Sequence, residues 1–198
     1  MRKPVLSFLA ALLVALPGCR AKEKAPTPEE LVAALRSPDA EKRGQARLQL
    51  ITLGEPAVPA LAGMLRSGTP TERVAAANTL WGMGGRARAA VPDLAAALAD
   101  PDPDLQVAAA MALENMGPLA EAAVPSLAAA VRARDTRVRQ AAVKALGAIG
   151  PAARAALPTL TRALRRGAWP EADEAVRRIR GLEPGAVVEL GPEEPDAP

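Results

Sequence analysis

The stretch Val124-Pro125-Ser126-Leu127 returns as Val58-Pro59-Ala60-Leu61, Val91-Pro92-Asp93-Leu94 and Leu157-Pro158-Thr159-Leu160. The four prolines, Pro59, Pro92, Pro125 and Pro158, recur with an even period of 33. A fixed period of this length marks a solenoid, in which each unit stacks only on its neighbours. Between the copies, apolar residues fall at helical spacings of three and four: Ala76, Leu80 and Met83; Ala109, Leu113 and Met116; Ala142, Leu146 and Ile149.

Each unit therefore reads as two helices. The first carries the proline near its start or at a bend, where the lost N–H costs least, and ends near Leu65, Leu98, Val131 or Leu164. A tight turn follows. Thr69, Asp102 and Asp135 hold equal places in it, with Asp39 matching them in a shorter first unit. Each is a favoured N-cap for the second helix, and Pro70 and Pro103 follow as first-turn residues. Gly84, Gly117 and Gly150 end the second helices, where a left-handed residue is expected. Thr27-Pro28-Glu29-Glu30 opens the folded part as a capping box. In the fifth unit Trp169-Pro170-Glu171 replaces the acidic turn, and the helix to Arg180 is heavily charged, as a terminal cap requires.

Composition agrees with this plan. Phe8, Trp81 and Trp169 are the full aromatic set of the 198 residues. Small residues at the packing positions let helices approach closely, so such a chain can still close a core. The chain has no His, which removes the commonest general base and transition-metal ligand. Its one Cys makes neither an intrachain disulfide nor a thiolate metal site.

The run from Asp135 to Pro151, Asp-Thr-Arg-Val-Arg-Gln-Ala-Ala-Val-Lys-Ala-Leu-Gly-Ala-Ile-Gly-Pro, closely resembles a HEAT repeat of the bilin-lyase-like type, and Asp102 to Gly117 is a looser copy. The Thr-Pro-Leu-His start of an ankyrin repeat occurs nowhere. The resemblance covers roughly residues 28–181 and implies an all-α fold: a right-handed α-solenoid of about five HEAT-like helix pairs.

In such arrays the second helices usually line the concave face. Their residues outside the apolar pattern are the candidate contacts for a protein partner: Arg47, Asn78, Trp81, Met111, Glu114, Lys144 and Arg177. Trp81 stands where sister units have Glu114 and Gly147, so the repeat does not demand a large side chain there. It reads either as an anchor for a partner or as a cover over the neighbouring turn. Arg43, Arg73 and Arg139 share one repeat position with Gln106. They read as a ladder for an anionic ligand or, preferably, as partners of adjacent turns. Asp100, Asp102 and Asp104 resemble the start of a calcium loop, but Leu105 and Met111 stand where its Gly and Glu belong. Helix-start charges explain them better.

The N-terminus reads as an address. Arg2 and Lys3 precede an apolar run from Val5 to Leu16, of signal-peptide length. Leu16-Pro17-Gly18-Cys19 resembles the lipobox of bacterial lipoproteins, with Pro17 a departure from the usual Ala or Ser. The resemblance implies cleavage before Cys19 and lipidation of its thiol; two or three acyl chains anchor stably. Arg20, as a residue other than Asp after the Cys, implies the periplasmic face of the outer membrane if the host is Gram-negative. Residues 1–18 thus read as signal peptide, 19–26 as tether, 27–182 as repeat domain and 183–198 as a disordered acidic, Pro-rich tail.

Removing residues 1–18 takes away two bases and no acid, leaving 23 bases against 22 acids, a net of +1. That near-neutrality argues against nucleic acid as a partner. Charge is uneven, however. Residues 89–121 carry six acids and no base, residues 122–182 twelve bases and four acids. The basic end suits anionic headgroups, an acidic partner or the chain's own acidic tail, or is simply a solvated mixed surface. The expected function is a membrane-anchored, monomeric scaffold that binds a protein in the cell envelope, with no catalysis and no cofactor. The alternatives are a lyase or isomerase acting on a bilin-like tetrapyrrole, and a HEAT-like nucleic-acid-binding protein.

Overall fold

A computed structural model describes residues 25–167 and 169–190. The expected signal peptide, Cys19 and the tail beyond residue 190 lie outside the described residues. Among the described residues ten α-helices form five pairs: α1 (Pro28–Ala34) with α2 (Ala40–Leu53), α3 (Val58–Ser67) with α4 (Pro70–Met83), α5 (Val91–Ala97) with α6 (Pro103–Met116), α7 (Val124–Ala130) with α8 (Thr136–Ile149), and α9 (Leu157–Arg166) with α10 (Pro170–Arg180). There is no strand among the described residues. The chain is an all-α solenoid, as its repeat period implies.

The starts of the helices follow from the turn residues. Thr27 and Glu30 close a capping box on α1, with bonds of 3.2 and 2.8 Å. Asp39, Asp102 and Asp135 accept the N–H groups of Glu41, Asp104 and Arg137 at 2.9, 3.0 and 2.7 Å. Each side chain satisfies a donor that the helix itself leaves without a partner. At Thr69 the reciprocal half of a box is present, Glu72 accepting the Thr69 N–H at 3.0 Å. Trp169 offers α10 no such bond.

The ends differ from the expectation in one detail. Gly84, Gly117 and Gly150 have φ of 55°, 57° and 70°, but ψ of −135°, −131° and −139°. That is the mirror image of the extended region, not the left-handed helical region, and only glycine enters it readily. The chain then runs on in 3-10 segments (Gly84–Ala90, Gly117–Ala123 and Gly150–Ala156) that the helical periodicity does not announce. The repeated prolines 59, 92, 125 and 158 take the second position of each first helix, where no intrahelical N–H is needed.

The core is one continuous apolar column. Leu50, Leu80, Leu113 and Leu146 from the second helices are fully buried, as are Leu61, Leu94, Leu127 and Leu160 from the first. Successive second helices pack directly on one another, whereas first helices meet largely through the 3-10 segments. The second helices thus form one directly stacked layer, the inner layer expected of such arrays. Small residues permit it: a Cβ at Gly82 would stand 2.6 Å from Ile51 Cδ1, and one at Gly147 would stand 3.2 Å from Ala175 Cβ. After α10, Gly181 adopts the left-handed conformation at φ 69° and ψ 32°. Residues 183–190 run without helix, with Val188 half-buried against the core and the Arg180 guanidinium donating to the Glu189 carbonyl at 3.0 Å. No single helix among the described residues is long and apolar enough to cross a membrane. The pair α2 and α3 passes such a test only in sum, and it bends by 120°.

Candidate functional site

Four of the sequence candidates share one register of the second helices, each a single repeat period from the next: Asn78, Met111, Lys144 and Arg177. Trp81 and Glu114 stand three places further along α4 and α6. Helical geometry puts side chains at that spacing on one face. These six therefore line one stripe along the inner layer. Asn78, Trp81, Met111 and Lys144 are exposed, and Glu114 and Arg177 are half-buried. Arg47 is exposed too, but it falls one place off the stripe. Its sister positions, Ala77, Ala110 and Val143, are buried. The residue of α2 that continues the stripe is Leu48, 62% exposed. The apolar periodicity hides it, because a leucine next to core leucines reads as core.

The stripe changes character along its length. Leu48, Trp81 at 45% and Met111 at 40% exposure make its first half apolar. Lys144 and Arg177 make its second half basic. Arg177 is held by Asp173, and by Glu174 at 3.4 Å, so it is less available than Lys144. The Trp81 backbone is fixed from the next unit, its carbonyl accepting from Asn115 Nδ2 at 2.7 Å. Gly147, at the same register as Trp81, is buried against α10. One repeat position thus presents an indole to solvent in α4 and leaves little room for a side chain in α8.

The arginine ladder has its structural role. Arg43 donates to the carbonyls of Ser37 and Pro38 at 2.8 and 2.9 Å. Arg73 donates to Leu65 O at 2.9 Å, and Gln106 to Asp100 O at 2.6 Å. Arg139 donates to Ala133 O and Arg134 O at 3.0 and 2.7 Å. Each long side chain satisfies carbonyls at or just past the end of the preceding first helix, which that helix leaves without partners. The acids of the third unit have partners as well. Asp100 pairs with Arg73 at 2.6 Å, Asp102 caps α6, and Asp104 meets Arg137 at 2.8 Å. Arg137 also bonds Asp135, whose carboxyl it holds below the usual carboxylate range, chiefly through that side-chain hydrogen bond. The same contacts raise the Arg137 guanidinium.

A second feature is not announced by the sequence. A cleft of about 310 Å³ opens between the fourth and fifth units, lined by Arg132, Arg139, Arg162, Arg166, Thr159 and Trp169 among others. The Arg139 guanidinium lies over the Trp169 ring, 5.3 Å from its centroid, within cation–π range. The excess of bases in residues 122–182 is visible in the chain. That four of them converge on one cleft is not, because they come from the turn after α7, from α8 and from α9.

The HEAT repeat family matches residues 91–179, the last three helix pairs. Among solved structures, the complex of CpcE and CpcF of phycocyanin lyase from Nostoc sp. PCC7120 is similar at 26% identity, over 90% of this chain and 71% of that one, with a TM-score of 0.61. An engineered protein is similar at 24% identity, over 77% of this chain and 78% of its own, with a TM-score of 0.59. A designed armadillo repeat protein in complex with the peptide (KR)4 follows at 18% identity, over 76% and 80%, with a TM-score of 0.57. Comparison with the curated proteins finds no match. Taken with the repeated helix pairs, the family match makes residues 91–179 HEAT repeats, and the described chain is similar in fold to the phycocyanin lyase pair.

Proposed function

We propose that the chain is a scaffold whose inner, second-helix layer binds a protein partner in the bacterial cell envelope, held to the membrane by a lipid on Cys19. The observation that carries the binding reading is the exposed apolar run of Leu48, Trp81 and Met111 along one face. Large apolar side chains left in water on an extended surface suit an interface, and tryptophan is enriched among the anchors of one. The designed armadillo neighbour, whose structure contains a bound peptide, supports the use of such an array for recognition. The lipobox-like Leu16-Pro17-Gly18-Cys19 supports the address. An acyl anchor would raise the local concentration of the scaffold at the membrane, so modest affinity would suffice.

The test is photo-crosslinking in intact bacterial membranes from position 78, with the full-length chain. A discrete crosslinked protein is expected, and Trp81→Ala should weaken its capture by roughly tenfold or more. Capture that is indifferent to Trp81→Ala, Met111→Ala and Leu48→Ala alike would sink the reading. In the same membranes, Cys19→Ala should move the protein to the soluble fraction; unchanged partitioning without an acyl group on the wild type would refute the anchor. The likeness to the phycocyanin lyase pair favours one second reading, the handling of a linear tetrapyrrole. It requires that the purified protein perturb the visible spectrum of a bilin, which the scaffold reading does not.

A further inference from the structure

The cleft between the fourth and fifth units occupies repeat positions that hold ion pairs elsewhere. Between the second and third units, Arg66 meets Asp93 at 2.7 Å and Arg73 meets Asp100 at 2.6 Å. Two repeats further on, the arginines persist as Arg132 and Arg139. Their acids do not: Asp93 becomes Thr159, and Asp100 becomes Arg166. All four of these later residues line the cleft, with Arg162 and Trp169, and no carboxylate is among the described lining residues. The same architecture that closes two ion pairs in the second and third units therefore opens a basic cleft in the fourth and fifth.

Guanidinium groups gathered in a partly enclosed space repel one another unless an anion enters. Arg139 is steadied by two carbonyls and by the Trp169 face. The side chains of Arg132 and Arg166 make no ion pair or hydrogen bond among the described residues and are exposed. We propose that this cleft binds an acidic peptide segment of a protein partner, two of whose carboxylates take the places that Asp93 and Asp100 fill two repeats earlier. This deepens the scaffold reading and rests on it.

Three observations favour a peptide over other anions. The group this repeat position accepts, where it is filled, is a carboxylate, and a planar guanidinium matches it bidentately. The cleft is a single pocket of about 310 Å³, the size of a few side chains, and not a track for a polyanion backbone. The acids Asp93, Asp100 and Asp104 in the third unit, all tied to arginines, interrupt any longer basic path towards the N-terminal units.

The experiment uses the full-length protein and a fluorescently labelled peptide of four Glu-Ala repeats, with four Gln-Ala repeats as neutral control. Anisotropy should show binding of the acidic peptide alone, weakening as salt rises from about 50 to 300 mM. The decisive variant is Thr159→Asp with Arg166→Asp, which restores the acids of the repeat. It should close the cleft internally, cutting peptide affinity roughly tenfold or more while leaving the melting temperature unchanged or higher. Arg88→Glu with Lys42→Gln makes the same change in net charge away from the cleft and should cost less than about twofold. Equal losses in the two variants, or no binding by the wild type, would overturn the proposal. So would tighter binding of single-stranded oligothymidylate, or of phosphatidylglycerol vesicles, lost through the same two substitutions. Trp81→Ala should leave the acidic peptide bound, so failure at the inner face and failure at the cleft are distinguishable.

Discussion

Arg73 and Arg166 belong to the same fold and live in opposite settings. Arg73 lies at a junction in the middle of the array, tied to Leu65 O at 2.9 Å and to Asp100 at 2.6 Å, with both side chains largely covered. Arg166 lies at the last junction, exposed, where the repeat puts a base in place of that acid. Arg36–Glu72, Arg66–Asp93, Arg73–Asp100 and Asp104–Arg137 each join one unit to the next. Most are exposed pairs, which hold register more than they add stability. At the last junction Leu160, Ala172, Val176 and Ile179 are buried and Arg139 stacks on Trp169. A solenoid needs its apolar column at every junction, but it is free to arrange its surface charges differently at each one.

That contrast can be broken first at the glycines. Gly117→Ala forces a Cβ into a backbone region with φ 57° and ψ −131°, and should destabilise by about 1–3 kcal/mol in urea denaturation. Gly167→Ala in the last unit, with an extended φ of 168° and open space around it, should leave the midpoint unchanged. Equal effects would refute the backbone strain assigned to a side chain at position 117. The arginines give the next largest effect. Arg73→Met takes the ion-pair partner from a largely buried carboxylate and the donor from a helix-end carbonyl, and should cost about 1–2 kcal/mol; Arg166→Met should shift the midpoint little or upward, because it relieves like-charge crowding. A loss at Arg166 as large as at Arg73 would show that the cleft is a structural junction after all.

The smallest effect concerns Asp135. Its folded-state pKa lies below the unfolded value, so its contribution is present above about pH 4 and is lost as pH falls through the lower folded value. Asp135→Asn should therefore lower the melting temperature slightly at pH 6, and the gap to wild type should close in stronger acid. A gap that persists at pH 2 would assign the effect to the shape of the cap and not to its charge.

Much of the array could be read from single residues. The periodic return of Val-Pro-x-Leu, the Asp and Thr caps and the terminal glycines each state a local requirement that a short stretch meets or fails. The inner stripe was largely legible for the same reason: Asn78, Met111, Lys144 and Arg177 keep one register, and helix geometry does the rest. Leu48 was lost because exposure depends on what the neighbouring pair covers, which periodicity does not encode. The 3-10 segments were lost because a Gly-Pro or Gly-Gly start followed by alanines carries no apolar period.

The sequence by itself determined the repeat, most of the helix boundaries and the buried leucine column, because these rest on local propensity and a fixed period. Only the tertiary structure decided which of the twelve bases between positions 122 and 182 meet at one place. Arg132, Arg139, Arg162 and Arg166 converge because stacking brings together positions from successive units, and whether each finds an acid there depends on the unit that follows. The Val-Pro-x-Leu copies look alike in sequence. The third residue of the motif, Asp93 in one copy and Thr159 in another, separates a closed junction from an open cleft.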